Sequence, residues 1–192
     1  MQRADSVEQL PAEDWAGEMG ERWLRHLERF ESMIAPIGAA LLESAGFRPA
    51  QRVLDLGCGA GGTSLEIARR VGPKGAVLGV DISAPLIAAA ERRAQQAAAD
   101  NVSFRCADAA IAQLPEAPFN RMFSRFGLMF FNDARAAFAH LRDHGLAPRL
   151  RGAHLRAPAY AQVAPPRHTI LLRVAHPAPT PAHSGAAKEH RH

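Results

Sequence analysis

Apolar positions recur along this chain in two rhythms. Over residues 15–47, Trp23, Leu27, Phe30, Ile34 and Ile37 return at steps of four and three. That period builds one apolar face and predicts a helix, with Pro36 kinking or dividing it. From residue 52 the rhythm shortens. Compact apolar runs at 52–56 (RVLDL), 76–80 (AVLGV), 102–106 and 121–124 read as strands. Helical patterns separate them. One covers 63–71 and is closed by Gly72 and Pro73. An alanine-rich one runs to about residue 99, with Ser83 as N-cap and Pro85 in its first turn, before Asp100 and Asn101 break it. A short helix is expected at 109–114 and another at 134–142. Near-continuous apolar strands alternating with helices predict a parallel sheet covered on both faces, joined by right-handed crossovers. The expectation is an open, doubly wound α/β domain of about four strands, led by N-terminal helices.

Charge and composition then divide the chain. The 192 residues hold 23 Lys and Arg against 19 Asp and Glu, for a net charge of +4. Residues 144–192 carry seven basic side chains against Glu189 alone, a net +6, so the preceding residues sum to −2. The same tail contains seven of the nine histidines and seven of the fourteen prolines, and apolar periodicity fades there. The predicted organisation is a helical cover at 1–50, an α/β domain at 51–143 and an irregular basic tail at 144–192. Two cysteines exclude a disulfide scaffold. They fall at the ends of the first and third strands, which the second should separate, so no bridge between them is expected. No uncharged apolar run reaches 18 residues, so no membrane span is expected, and a polar N-terminus argues for the cytoplasm. The basic balance does not point to nucleic acid, because the arginines are scattered and the tail has one tyrosine to interleave with them. The tail histidines, His190 and His192 included, lack the spacing of a built metal site.

The candidate chemistry sits at the first strand-to-helix turn, Asp55-Leu56-Gly57-Cys58-Gly59-Ala60-Gly61-Gly62. Glycines serve where the backbone turns sharply and approaches a ligand, and the helix start behind them offers free N–H groups. Asp81 ends the second strand, 20 residues past Gly61, where an acid accepts from ribose hydroxyls. Gly57, Gly59 and Gly62 satisfy G-x-G-x-x-G, so a dinucleotide and a nucleoside without pyrophosphate both fit so far. Three features separate them: Asp55 stands where dinucleotide folds carry an apolar residue, about 50 residues of helix precede the first strand, and Asp108 follows the third strand.

Together these resemble the class I S-adenosylmethionine-dependent methyltransferases. VLDLGCGAGG is similar to that family's first motif, GVDIS to its second and CADA to its third. FNRMFSRFGLMFFND, at 119–133, resembles the fourth-strand region of small-molecule methyltransferases akin to the quinone-biosynthesis C-methyltransferases, and GERW at 20–23 their N-terminal cover helix. The resemblance implies a Rossmann-like fold, S-adenosylmethionine as cofactor and a small-molecule methyl acceptor. It implies that Gly57, Gly59 and Gly61 line the methionine part. It places Asp81 at the ribose and Asp108 at the adenine, with Cys58, Ile82 and Ala109 also binding the cofactor. Asp55 would reach the cofactor's amino group, directly or through water, and Ser124 and Arg125 would lie towards the methyl. Asn120 departs from the acid the family often has there. No residue is identified as a general base. Phe123, Phe126, Phe130 and Phe131 are expected in the core, with Phe126 also able to face a substrate.

The tail does not continue this pattern. The family's fifth strand is absent after residue 142, and dropping one base from the codons of residues 152–156 admits Gly-Leu-Thr-Phe-Val, a strand of the expected type. A truncated or frameshifted C-terminal part is the expectation. Its consequence would be an open apolar edge over 122–131, which only residues 168–174 (HTILLRV) look able to patch. The competing function is a catalytically inactive remnant that at most binds the cofactor.

Overall fold

The computed structural model describes residues 12–146 and the backbone of residues 155–156 and 173–174. Three helices come first: α1 (Ala12–Ala16), α2 (Glu18–Arg25) and α3 (Leu27–Ala45). The breaks fall at Gly17 and His26, whereas Pro36 lies inside an uninterrupted α3, so of the expected kink or division the division does not occur. Packing carries the helix through the missing N–H: Ile34, Gly38, Leu41, Leu42 and Ala45 are all buried along one face. Ile37, expected on that face, points outward and is 46% exposed. Gly46 ends α3 in the left-handed region at φ 57°.

The body alternates as expected: β1 (Arg52–Leu56), α4 (Gly62–Val71), β2 (Ala76–Asp81), α5 (Ala84–Gln96), β3 (Val102–Cys106), β4 (Arg121–Ser124) and α6 (Ala134–His140). The strands form one parallel sheet in the order β3-β2-β1-β4, with Val53 opposite Val77 and Arg121. The helix expected at 109–114 is instead a turn, in which the Asp108 carbonyl accepts from the N–H groups of Ile111 and Ala112. Asn120, where the family often has an acid, ties β4 to β1. Its side-chain carbonyl accepts from Arg52 N at 2.7 Å, and its own N–H donates to Arg52 O at 2.7 Å.

The two faces of the sheet follow from the period of two along each strand. Val53, Val77 and Phe123 face α3 and α4, packing against Leu41, Leu42, Ile67 and Val71. Leu54, Leu56, Leu78, Val80 and Met122 face the other way, onto Leu114, Phe119, Leu128, Leu141 and Leu146. A gap in this second layer is closed by a single wide turn, Leu141–Gly145, that prolongs α6. It delivers Leu146 to a parallel bridge with Phe119, so the chain stays packed three residues beyond the expected domain end at 143. In the tail, β5 (Leu155–Arg156) and β6 (Arg173–Val174) pair antiparallel, and the expectation of an irregular course for the remainder lies outside the described residues. β6 runs beside β4 without joining its ladder. The rest of the expected edge patch at 168–172 lies outside the described residues. Among the described residues no helix is long and apolar enough to cross a membrane.

Candidate active site

The C-terminal ends of β1, β2 and β4 open into one cavity of about 900 Å³, part of it continuous with solvent. Its floor is the turn after β1. Gly57 and Cys58 both donate from their backbone N–H groups to Val80 O, at 2.8 and 3.1 Å, which folds the loop over the end of β2. Gly57 sits at φ 65° with its Cα against the backbone of Gly127, so no side chain fits there. Gly59, at φ 56°, faces open space.

Asp81 holds this loop in place. One carboxylate oxygen accepts from Gly59 N at 2.8 Å and the other from Ser83 N at 2.9 Å. The glycine turn and the start of α5 are thereby fixed to one side chain. Burial pushes the Asp81 carboxyl above its ordinary range, against the backbone N–H groups that favour its ionised form. Ser83 begins α5 through its backbone alone, because its hydroxyl makes no capping bond. Asp108 accepts from Ala110 N at 2.9 Å through one oxygen. Its other oxygen makes no hydrogen bond among the described residues, and the side chain lines the cavity.

Of the expected site residues, Gly57, Cys58, Gly59, Asp81, Ile82, Asp108, Ala109 and Arg125 line the cavity. Three others do not. Asp55 is fully buried beneath α4, where one oxygen accepts from the hydroxyls of Thr63 at 2.7 Å and Ser64 at 2.6 Å and the other has no partner. Desolvation pushes its carboxyl up to about 6, despite the two hydroxyl donors and the positive charge of Arg125. Gly61 serves packing: a Cβ there would meet Phe104 at 2.8 Å and Ala90 at 2.9 Å. Ser124 locks β4 to β1 by donating to Leu56 O at 2.8 Å. The thiols of Cys58 and Cys106 are both free, and burial pushes that of Cys58 well up, so it is no nucleophile at neutral pH.

The far wall was not legible as a site. Trp15 of α1 and Trp23 of α2 meet edge to face, with ring centres 5.7 Å apart, and Trp15 packs on Phe130 at 4.9 Å. Phe130 and Phe131 join them in lining the cavity; Phe131 also packs against the second core as expected, whereas Phe130 belongs to the cavity wall. Phe123 is core, 1% exposed. Phe126 lines the cavity in the left-handed region at φ 69°. Such backbone strain in a non-glycine residue costs roughly 1–3 kcal/mol and clusters at functional sites. Spacing hides this wall, because its aromatics come from two short helices and from the turn after β4.

Residues 53–145 match the family model described as a methyltransferase domain. The fold, the ordered motifs and this match make residues 53–145 similar to the class I S-adenosylmethionine-dependent methyltransferases. It is 30% identical over 140 residues to the aklanonic acid methyltransferase DauC of Streptomyces sp. strain C5, covering 71% of this chain and 63% of the relative. To the nocamycin O-methyltransferase of Saccharothrix syringae it is 34% identical over 104 residues, 54% of this chain and 37% of the relative. The chain thus spans less than two thirds of the curated relatives it matches. Among solved structures, the YcgJ protein of Bacillus subtilis is 28% identical with a TM-score of 0.52, over 58% of this chain and 46% of its own. The magnesium protoporphyrin IX methyltransferase of Synechocystis PCC 6803 shares the fold at 20% identity and a TM-score of 0.53, covering 73% of this chain and 74% of its own.

The family's cofactor is S-adenosylmethionine, and the residues present fit it. Asp81 and Asp108 put two acceptors on one wall, suited to ribose hydroxyls and an exocyclic amine. The space above Gly59 is clear of side chains, and Ile82, Leu86 and Ala109 supply an apolar surface for a flat base.

Proposed function

We propose that this chain is an S-adenosylmethionine-dependent methyltransferase acting on a small-molecule acceptor in the cytoplasm. One observation carries the reading. The Asp81 carboxylate, fixed by Gly59 and Ser83, shares a single cavity with Asp108 and the glycine turn. Asp81 would hold the ribose, Asp108 and Ala109 the adenine, and Gly57 to Gly59 the methionine chain. The bound cofactor supplies a methyl group on a sulfonium, which is already a good leaving group.

What remains for the protein is alignment and the exclusion of water. The wall formed by Trp15, Trp23 and Phe130 covers the opening, and Phe126 is held inward by its backbone. No side chain is assigned a proton-transfer role. Names of the curated relatives support a small organic acceptor, and two free cysteines support a reducing compartment.

Calorimetric titration of the full chain with S-adenosylhomocysteine tests the cofactor site. Saturable binding is expected, weakened at least about tenfold in Asp81→Ala, a loss of roughly 1.4 kcal/mol. A folded sample that binds neither S-adenosylhomocysteine nor S-adenosylmethionine overturns the reading. Transfer of labelled methyl to a panel of phenolic, carboxylic and quinone acceptors tests the reaction, and binding without transfer to any of them favours the inactive remnant. Fractionation of cells into cytosol and envelope checks the compartment.

A further inference from the structure

We infer that Arg125 is the anion-recognition residue of the cavity and that it takes the oxygen pair of a ligand carboxylate. The inference rests on the cavity being the methyl-transfer site proposed above. Arg125 follows β4 directly, and it is the one cation among the described residues that line the cavity. Its side chain also borders a second opening between α3 and α4, so it stands between two accessible spaces. α3 makes room for it with Gly38, where a Cβ would lie 2.7 Å from the Arg125 guanidinium.

Of the acids nearest to Arg125, Glu31 is committed elsewhere and Asp55 is committed through one of its two oxygens. Glu31 gives one oxygen to Arg93 Nη1 at 2.8 Å and the other to Arg93 Nη2 at 3.1 Å, and Arg93 also donates to Ala60 O at 3.0 Å. Asp55 turns one oxygen to Thr63 and Ser64. Arg125 itself makes no hydrogen bond and no ion pair among the described residues, while Arg52, Arg70, Arg105 and Arg142 all have partners. Burial lowers its proton affinity, with only the more distant charges of Asp55 and Glu31 to offset this. A guanidinium nevertheless stays charged in a protein and offers five donors in a planar fork that matches a carboxylate. A half-buried cation with no acceptor gains more from a ligand anion than an exposed one would.

Two ligands can bring that group: the methionine carboxylate of the cofactor, or an acidic acceptor. Calorimetry on the full chain separates them with four probes. S-adenosylhomocysteine carries the carboxylate, and 5′-methylthioadenosine has the same nucleoside thioether without it. With S-adenosylhomocysteine bound, 2-naphthoate is compared with the uncharged 2-naphthamide.

Arg125→Gln is expected to weaken one carboxylate probe by about 10- to 100-fold. Methylthioadenosine and naphthamide should stay within about twofold, and Arg125→Lys should restore part of the loss. A loss on S-adenosylhomocysteine assigns the cofactor carboxylate, and a loss confined to naphthoate assigns the acceptor. Gly38→Ala, which displaces the guanidinium without removing its charge, should weaken the same probe. It provides the reading if Arg125→Gln does not fold. The inference is overturned if both carboxylates bind the variants as they bind the wild type, if the uncharged probes weaken equally, or if the wild type binds neither carboxylate. Unchanged binding of S-adenosylhomocysteine in the variants would leave the cofactor site standing and remove only the role of Arg125.

Discussion

Gly57 and Gly59 lie two residues apart in the same turn, at φ 65° and 56°, yet alanine should affect them differently. Each substitution forces a side chain into the left-handed region at about 1–2 kcal/mol. At Gly59 the new Cβ meets nothing within 4 Å, so that is the whole cost. At Gly57 it would stand 2.5 Å from Gly127 Cα. That neighbour is backbone, and it cannot swing aside as a side chain can. Relief requires moving the turn that carries Phe126, at roughly 1–3 kcal/mol for overpacking. Gly57→Ala should therefore lose about 2–5 kcal/mol of stability, and Gly59→Ala about 1–2. For a chain of this size each kcal/mol lowers Tm by about 2–4 °C. Urea unfolding of the full chain, with unchanged m-values, measures both losses. Gly59→Ala should also weaken S-adenosylhomocysteine binding out of proportion to its stability loss, because its methyl group enters the ligand's space. Equal destabilisation of the two variants would refute the assigned backbone contact.

Asp55 should make stability fall as pH rises. Its carboxyl is pushed from 3.8 to about 6 in the folded chain, so the folded state holds the proton more tightly than the unfolded state. The benefit is complete below about pH 4 and is lost through pH 6, about 3 kcal/mol at ~1.36 kcal/mol per pH unit. Asp55→Asn should remove this slope, and denaturation from pH 4 to 7 with the same slope in both proteins would contradict it. Leu54→Ala empties a site that is 0% exposed in the sheet's second core and should cost about 2–5 kcal/mol in the same unfolding assay. Asp133 caps α6 by accepting from Ala136 N at 2.9 Å, so Asp133→Ala should cost about 0.5–2 kcal/mol, read as a shift in the urea midpoint.

Much of the cavity's lining was legible because it is local. The turn after β1, Asp81 at the end of β2 and Asp108 beyond β3 each depend on a few consecutive residues, and each lines the cavity as expected. Asp55, Gly61 and Ser124 carry equally clear motif positions but turn away from it. Side chains alternate across a strand, so Asp55 and its neighbours on β1 face opposite layers, and Asp55 falls on the side of α4. Nothing in the spacing says which layer holds the ligand. Pro36 likewise predicts a break that the packing of α3 against the body overrides.

The sequence alone therefore determined the order of strands and helices, the parallel sheet and the positions of the glycine turn and its acids. Those follow from periodicity and from backbone needs that few residues can meet. Tertiary structure alone brought Trp15, Trp23 and Glu31 to the opening that Arg125 was expected to face. These residues come from parts of the chain up to 110 residues apart. Folding brings them to one opening, and among the described residues it leaves Arg125 without the acid partner that Arg93 has in Glu31. Whether a charge is satisfied depends on every element packed around it, and so it cannot be read from its neighbours in the chain.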